Sequence, residues 1–244
     1  MRLNSAAILI AFLVLLISFW QRNDLPSNLD IVDDVREEPY QVRTKKKPFD
    51  ALFNDVRYRV EPEYAYELSG VVVSYRHHEG KSRMHRRAND HLNMLDVCVV
   101  WGDNAGNPIL QQFDFWNGIF TCVFKTGSTE AWNAFNQDQL SNNHLISDDP
   151  AIRDRVLDIA IGDQIRVRGQ LASYSSAAGG KRGTSTTRTD KGDGACETIY
   201  VEEFEILEAA VSRWRRSMYA SGSVLALALF VHFRRPYRPY SDPD

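Results

Sequence analysis

Apolar and polar positions follow three different patterns along this chain. At the amino end, "AAILIAFLVLLISFW" (Ala6 to Trp20) is almost wholly apolar, and the first charge after Arg2 is Arg22. At ~1.5 Å per residue, a helix of this length approaches the ~30 Å of a bilayer core. The exit "SFWQRND" carries a bulky aromatic rather than a small-x-small cleavage site, so an uncleaved anchor is expected over 1–21. Near the other end, "SMYASGSVLALALFVHF" lies between Arg215-Arg216 and Arg234-Arg235. Arginines at both edges fit side chains that snorkel to two interfaces. A second span is expected over 211–236, with a short tail at 237–244.

Between these ends the period changes. Residues 22–50 carry acids first and then bases, with prolines at 26, 39 and 48 and no apolar recurrence, which reads as a polar tether. From residue 51 to residue 210 the chain reads as strands. "YAYELSGVVVSYRHH" and "MLDVCVVWGD" are rich in β-branched residues, and Asn117-Gly118 is a two-residue hairpin signal. "GDQIRVRGQLASY" alternates cleanly, with Ile165, Val167 and Leu171 on one face and Arg166 and Arg168 on the other. Gly169 falls on the apolar face, where a strand can bend sharply. In the last strand Ile199 and Val201 are out of phase with Phe204 and Ile206, and a bulge at Glu202-Glu203 repairs the phase. Two segments predict helices: "STEAWNAFNQDQL", and "SDDPAIRDRVLDI" with Asp149 as N-cap and Pro150 at the first helical position. The expected class is mainly β with minor α. The expected architecture is a small barrel of the oligonucleotide/oligosaccharide-binding (OB) type, flanked by N- and C-terminal transmembrane helices.

Composition adds a limit. With a net charge of −3 and 43% hydrophobic residues, the chain is neither disordered nor a general nucleic-acid coat. Arginines flanking the two apolar ends nearly balance, so loop charge does not set orientation. A short tail before an apolar helix behaves as a signal anchor. The expected place is the bacterial inner membrane, with the middle domain in the periplasm.

Candidate chemistry centres on "GTSTTRTDKGDGACETIYVEEFEIL" (Gly183 to Leu207). Its glycines suit a hairpin turn before the last strand, and Cys196 follows at once. A thiol becomes a nucleophile beside a base. His144 is the candidate base, with Asp190 or Asn143 to orient it. The simpler alternative is a hairpin whose cysteine packs as a small apolar residue. Cys98 and Cys122 are the preferred pair for a disulfide, although reduced core cysteines fit equally well. No C-x-x-C spacing occurs, and the reading calls for no metal and no cofactor. "YRHHEGKSRMHRRANDH" gathers Arg76, His77, His85, Arg86 and Arg87. This basic loop would suit an anion, the alternative being a solvated loop, and with Arg188 and Asp190 these residues are the candidates for ligand binding. The aromatics from Phe113 to Trp132 are read as core rather than as stacking platforms.

"SNNHLI", "GDQIRVRGQL" and "RTDKGDGACETIYV", in this order behind an apolar helix, resemble a family of bacterial membrane-anchored proteins without assigned activity. The resemblance covers Tyr64 to Leu207 and implies architecture, not mechanism. Three functions follow from the residues. The first is a non-catalytic module that presents an OB-like domain to a protein partner at the membrane. The second is a cysteine-dependent hydrolase using Cys196 and His144. The third is a nucleic-acid module using the basic loop 76–91, which the expected topology disfavours. The sequence leaves any small-molecule ligand unidentified.

Overall fold

The computed structural model describes residues 3–78, 90–118, 120–177, 180–192 and 195–234. The helices are α1 (Leu3–Gln21), α2 (Thr129–Ala134), α3 (Pro150–Val156) and α4 (Arg213–Arg234). The strands are β1 (Tyr40–Arg43), β2 (Phe49–Phe53), β3 (Val56–His77), β4 (Asn93–Val100), β5 (Phe113–Asn117), β6 (Cys122–Thr126), β7 (Leu140–Ile146), β8 (Gln164–Ser176), β9 (Lys181–Arg182) and β10 (Glu197–Glu208). Two compact units result. One joins both ends of the chain, and the other runs from Leu25 to Ala210.

In the first unit α1 and α4 pack together as an antiparallel pair. Asn4 Nδ2 donates to the Ala228 carbonyl at 3.4 Å. Ala11 and Ser18 on α1, and Ser221 and Ala228 on α4, are buried, each pair one heptad apart. Small residues at this spacing let two helix backbones approach closely. The stretch Asn4–Gln21 of α1 is long and apolar enough to cross a membrane. Among the described residues no other helix is, which corrects the expected second span. The physical reason lies in α4 itself: Ser221, Gly222 and Ser223 interrupt its apolar run, and three arginines occupy its first turn.

The second unit is mainly β. Five strands close a ring in the order β3, β4, β7, β10, β8 and back to β3. Every neighbour is antiparallel except β7 with β10. The inward residues Leu68, Leu95, Val97, Leu145, Ile165, Val167, Leu171 and Ile199 are fully buried, and Val156 and Ile159 from the α3 region close one end. Burying each such aliphatic side chain contributes about 1.5–3 kcal/mol. Asp149 caps α3 as expected, accepting from the Ala151 amide at 2.8 Å. The predicted bulge falls at Glu202, between the pairs Val201–Gly169 and Glu203–Arg168. At Gly169 the ring is tightest. A Cβ there would stand 2.0 Å from the Tyr200 carbonyl oxygen, so no larger residue fits.

Two expectations change. Residues 22–50 do more than tether. Val35 is fully buried, Leu29 and Ile31 pack beside it, and β1 and β2 both pair with β3. Isolated apolar residues without a period can still be buried when the surface they meet is already formed. The hairpin turn at Asn117-Gly118 is also longer than two residues. Asn117 pairs with Cys122, and the Gly118 amide bonds the Thr121 carbonyl at 2.8 Å. Its phenylalanines are core, as read, and Trp116 and Trp132 are not: Phe113, Phe115 and Phe124 cluster with Phe135 at ring centroids 4.8–6.2 Å apart, while the two tryptophans are exposed. This hairpin lies over the outer face of β4, where a disulfide joins Cys98 to Cys122.

Candidate functional site

Strand alternation gives β4, β7 and β10 a second, outward face. Asp96 and Cys98 of β4 sit opposite His144 and Asn142 of β7. The parallel pairing of β7 with β10 then brings Cys196 alongside Asn142. On the solvent side these polar residues would be wet. Instead Asp96 is fully buried and His144 is 4% exposed, with His78 against the first and the Phe120 ring, between β5 and β6, against the second.

Asp96 organises the cluster. Its Oδ1 lies 2.5 Å from His144 Nδ1 and accepts from Asn93 Nδ2 at 3.0 Å. Its Oδ2 lies 2.7 Å from His78 Nε2. The His144 ring also lies near enough to Cys196 for the sulfur to favour its charged form. That sulfur also accepts from Asn142 Nδ2 at 3.3 Å and reaches the Phe120 carbonyl oxygen at 3.5 Å. Burial opposes charge on His144, but its hydrogen bonds to Asp96 and to Cys196 outweigh burial and push its pKa up to about 9. Burial also works against ionised Asp96, and the two imidazoles overcome it and hold the carboxyl well below the usual range. His144 is therefore an imidazolium at neutral pH, paired with a carboxylate.

Phe120 is the cap. Its φ of 60° is a left-handed conformation uncommon outside glycine. That turn aims its carbonyl at Asn142 Nδ2 (3.1 Å) and at the sulfur. Its ring stands edge-on to His144 at 5.8 Å, and the Arg182 guanidinium lies over it at 3.6 Å. Beside the sulfur opens a cleft of about 320 Å³, lined among others by Thr121, Cys122, Ser141, Asn142 and Asp190.

The hydroxyl-rich stretch before Cys196 is a loop, not the expected hairpin strand; among its described residues and those just before it, only Lys181–Arg182 pairs with β8. Its side chains hold the loop against β10. Thr184 Oγ1 accepts from the Thr198 amide at 2.9 Å, and the Ser185 amide donates to the Cys196 carbonyl at 2.9 Å. Ser185 Oγ also donates to Asp190 at 2.6 Å.

The structure thus brings Cys196 and His144 together and replaces the expected orienting group. Asp190 lines the cleft but is engaged by Ser185. Asn143 points the other way on β7, donating to Ser141 Oγ at 2.8 Å and to the Val97 carbonyl at 3.4 Å. Asp96 takes the role, and sequence reasoning overlooked it. The signal was a lone carboxylate inside the apolar run "MLDVCVV", where a charge is tolerated only with partners. The anion candidates are dispersed. Arg76 donates to the Gly118 carbonyl at 3.4 Å, and Arg188 bonds the Pro39 carbonyl and pairs with Glu38. His77 stands 5.2 Å from the Tyr75 ring, while His85, Arg86 and Arg87 lie outside the described residues. Among the described residues no group of histidine, cysteine and carboxylate side chains suits a metal ion.

No protein-family model matches the chain, and no curated protein or solved structure matches it either. The function therefore has to be argued from the site.

Proposed function

We propose that this chain is a membrane-anchored, OB-like domain carrying a cysteine-dependent hydrolytic centre, with Cys196 as nucleophile, His144 as acid and base, and Asp96 as the group that orients His144. The observation that carries the reading is the Asp96–His144 pair set beside Cys196 at the edge of an open cleft. The strand order of the ring, with its single parallel pair and a helix between β7 and β8, supports the OB-like assignment. The α1 helix supports anchoring, and the Cys98–Cys122 bond supports an oxidising compartment such as the periplasm.

Two donors aimed at one sulfur, the His144 imidazolium and Asn142 Nδ2, make the arrangement that a nucleophilic thiolate accepts. In the reaction the sulfur attacks a carbonyl carbon, forming a C–S bond. The leaving group departs with the proton that His144 donates. Water, deprotonated by the now neutral His144, then cleaves the acyl-sulfur bond and restores the thiol. Asn142 Nδ2 is the nearest side-chain donor for the developing oxyanion.

A non-catalytic module that holds a protein partner would need the anchor and the ring but not this relay. A nucleic-acid role finds less support from packing, since Phe113, Phe115 and Phe124 are spent on the core and leave Trp116 and Trp132 as the exposed rings.

The test uses the full chain in detergent micelles with p-nitrophenyl esters of graded acyl length. Stoichiometric release followed by slower turnover is expected, and Cys196→Ala and His144→Ala should each lower it by ~100-fold or more. If neither burst nor turnover appears, and iodoacetamide alkylates Cys196 equally fast with and without His144, the non-catalytic module is the correct reading.

A further inference from the structure

Three cysteines distant in sequence converge on one cleft. Cys98 pairs with Asn142 across β4 and β7, and Cys196 follows beside Asn142 at the start of β10. Neighbouring strands are ~4.8 Å apart, so Cys98, Asn142 and Cys196 form one row across the outer face. Cys122 lies over this row, its Cα 5.7 Å from that of Cys98, and lines the same cleft as Cys196. The Phe120 carbonyl, two residues before Cys122, reaches the Cys196 sulfur at 3.5 Å. The hairpin thus presents half of a disulfide to the one free thiol of the chain, which His144 already contacts.

We propose that the cleft is a thiol–disulfide exchange centre, in which Cys196 attacks Cys122 and the chain holds two alternative disulfides, Cys98–Cys122 and Cys122–Cys196. This rests on the activation of Cys196 by His144 in the functional reading above, but not on hydrolysis. The electron pair of the Cys196 sulfur forms the new bond to Cys122, and the Cys98–Cys122 bond breaks. Cys98 leaves as a thiolate and takes up the proton that Cys196 gave up, which His144 holds in between. One thiol and one disulfide stand on each side of the step, so no external oxidant or reductant is required. The ligand chemistry is that of sulfur: a thiol-bearing peptide entering the cleft meets an electrophilic disulfide and a nucleophile together. The exchange also bears on the cap, because moving Cys122 from Cys98 to Cys196 draws the Phe120 segment from β4 toward β10.

The test is disulfide mapping of the full chain in detergent micelles. In a glutathione redox buffer, Cys98→Ala should accumulate a Cys122–Cys196 crosslink, and adding His144→Ala should slow its formation ~10-fold or more. Recovery of Cys122 and Cys196 as separate glutathione adducts in a Cys98→Ala protein of native circular dichroism would overturn the proposal. Should that variant not fold, the wild-type chain decides. Incubated at pH 8 without reductant and quenched with N-ethylmaleimide, it should carry label on Cys98 that disappears in Cys196→Ser. Label on Cys98 that persists in Cys196→Ser, or is missing from both, refutes the exchange. Ester turnover on the same samples separates the two ideas, since hydrolysis can fail while the crosslink forms.

Discussion

The inner and outer faces of the same three strands solve opposite problems. Inward, Val97, Leu145 and Ile199 bury aliphatic surface, whose stabilisation scales with area and asks little of direction. Outward, Asp96, His144, Asn142 and Cys196 are held by bonds with fixed partners and lengths. The inner face is dry because the ring closes. On the outer face a disulfide-tied hairpin is part of the cover, and His78 lies against Asp96. A buried ion pair offers weak net stability compared with apolar packing, so the outer face depends on direction where the inner face depends on area. The inner face has its own exception: Glu197 and Tyr66 are buried there, and neither Glu197 Oε2 nor the Tyr66 hydroxyl has a hydrogen-bond partner among the described residues.

The sharpest way to break this contrast is one substitution on each face. Asp96→Asn leaves two buried imidazoles without their carboxylate and should cost about 3–5 kcal/mol in urea unfolding. It should also return the His144 titration, followed by NMR, toward or below its ordinary 6.5. Leu145→Ala should cost a similar 2–5 kcal/mol through an empty cavity, yet leave the rate of Cys196 alkylation unchanged. If Leu145→Ala slows alkylation as much as Asp96→Asn does, the two faces are not separable.

Removing the cover comes next. Replacing both Cys98 and Cys122 by Ser releases a loop with a sequence separation of 24 and should lower stability by about 3 kcal/mol. Hydrogen exchange should then rise at the outward-facing residues of β4 and β7, while amides flanking Ile165 and Leu171 stay protected. Uniform loss of protection would show that the hairpin supports the whole ring.

A change of pH sharpens the inner exception. Burial, helped by the Asp190 charge, pushes Glu197 up to about 8, against 4.5 ordinarily. The folded chain therefore keeps a proton that the unfolded chain sheds between these values. Its stabilising share is complete below pH 4.5 and is lost as the pH climbs through 8, with a slope of up to about 1.4 kcal/mol per pH unit. His144 acts with the same sign between 6.5 and about 9. Glu197→Gln should flatten the part of the unfolding profile below neutrality; an unchanged slope between pH 5 and 6.5 would show that Glu197 ionises normally in the fold.

Much of the ring was legible because period-two alternation is a local signal. Ile165, Val167 and Leu171 occupy the core as read, and the phase slip at Glu202 marks a real bulge. What escaped is non-local. Val35 is buried by a surface that forms from strands elsewhere in the chain, so no period around it announces the contact. The C-terminal helix formed as expected, but its composition falls short of a span. For the site, Cys196 and His144 were visible as residue types. Their orienting partner was not, because Asp96 reaches His144 through antiparallel register between β4 and β7, which sequence distance does not encode. The taut approach at Gly169 was readable as a glycine in an apolar phase, though not the carbonyl that requires it.

The single parallel pairing in the ring has a consequence for biosynthesis. β10 slots between β7 and β8, two strands translated before it, so the ring stays open until the last of them emerges. Cys98 and Cys122 leave the ribosome well ahead of Cys196 and can find each other while their rival is still unmade. Order of synthesis thus lets Cys98 and Cys122 meet first, and the free Cys196 arrives last, at a nest already lined by His144.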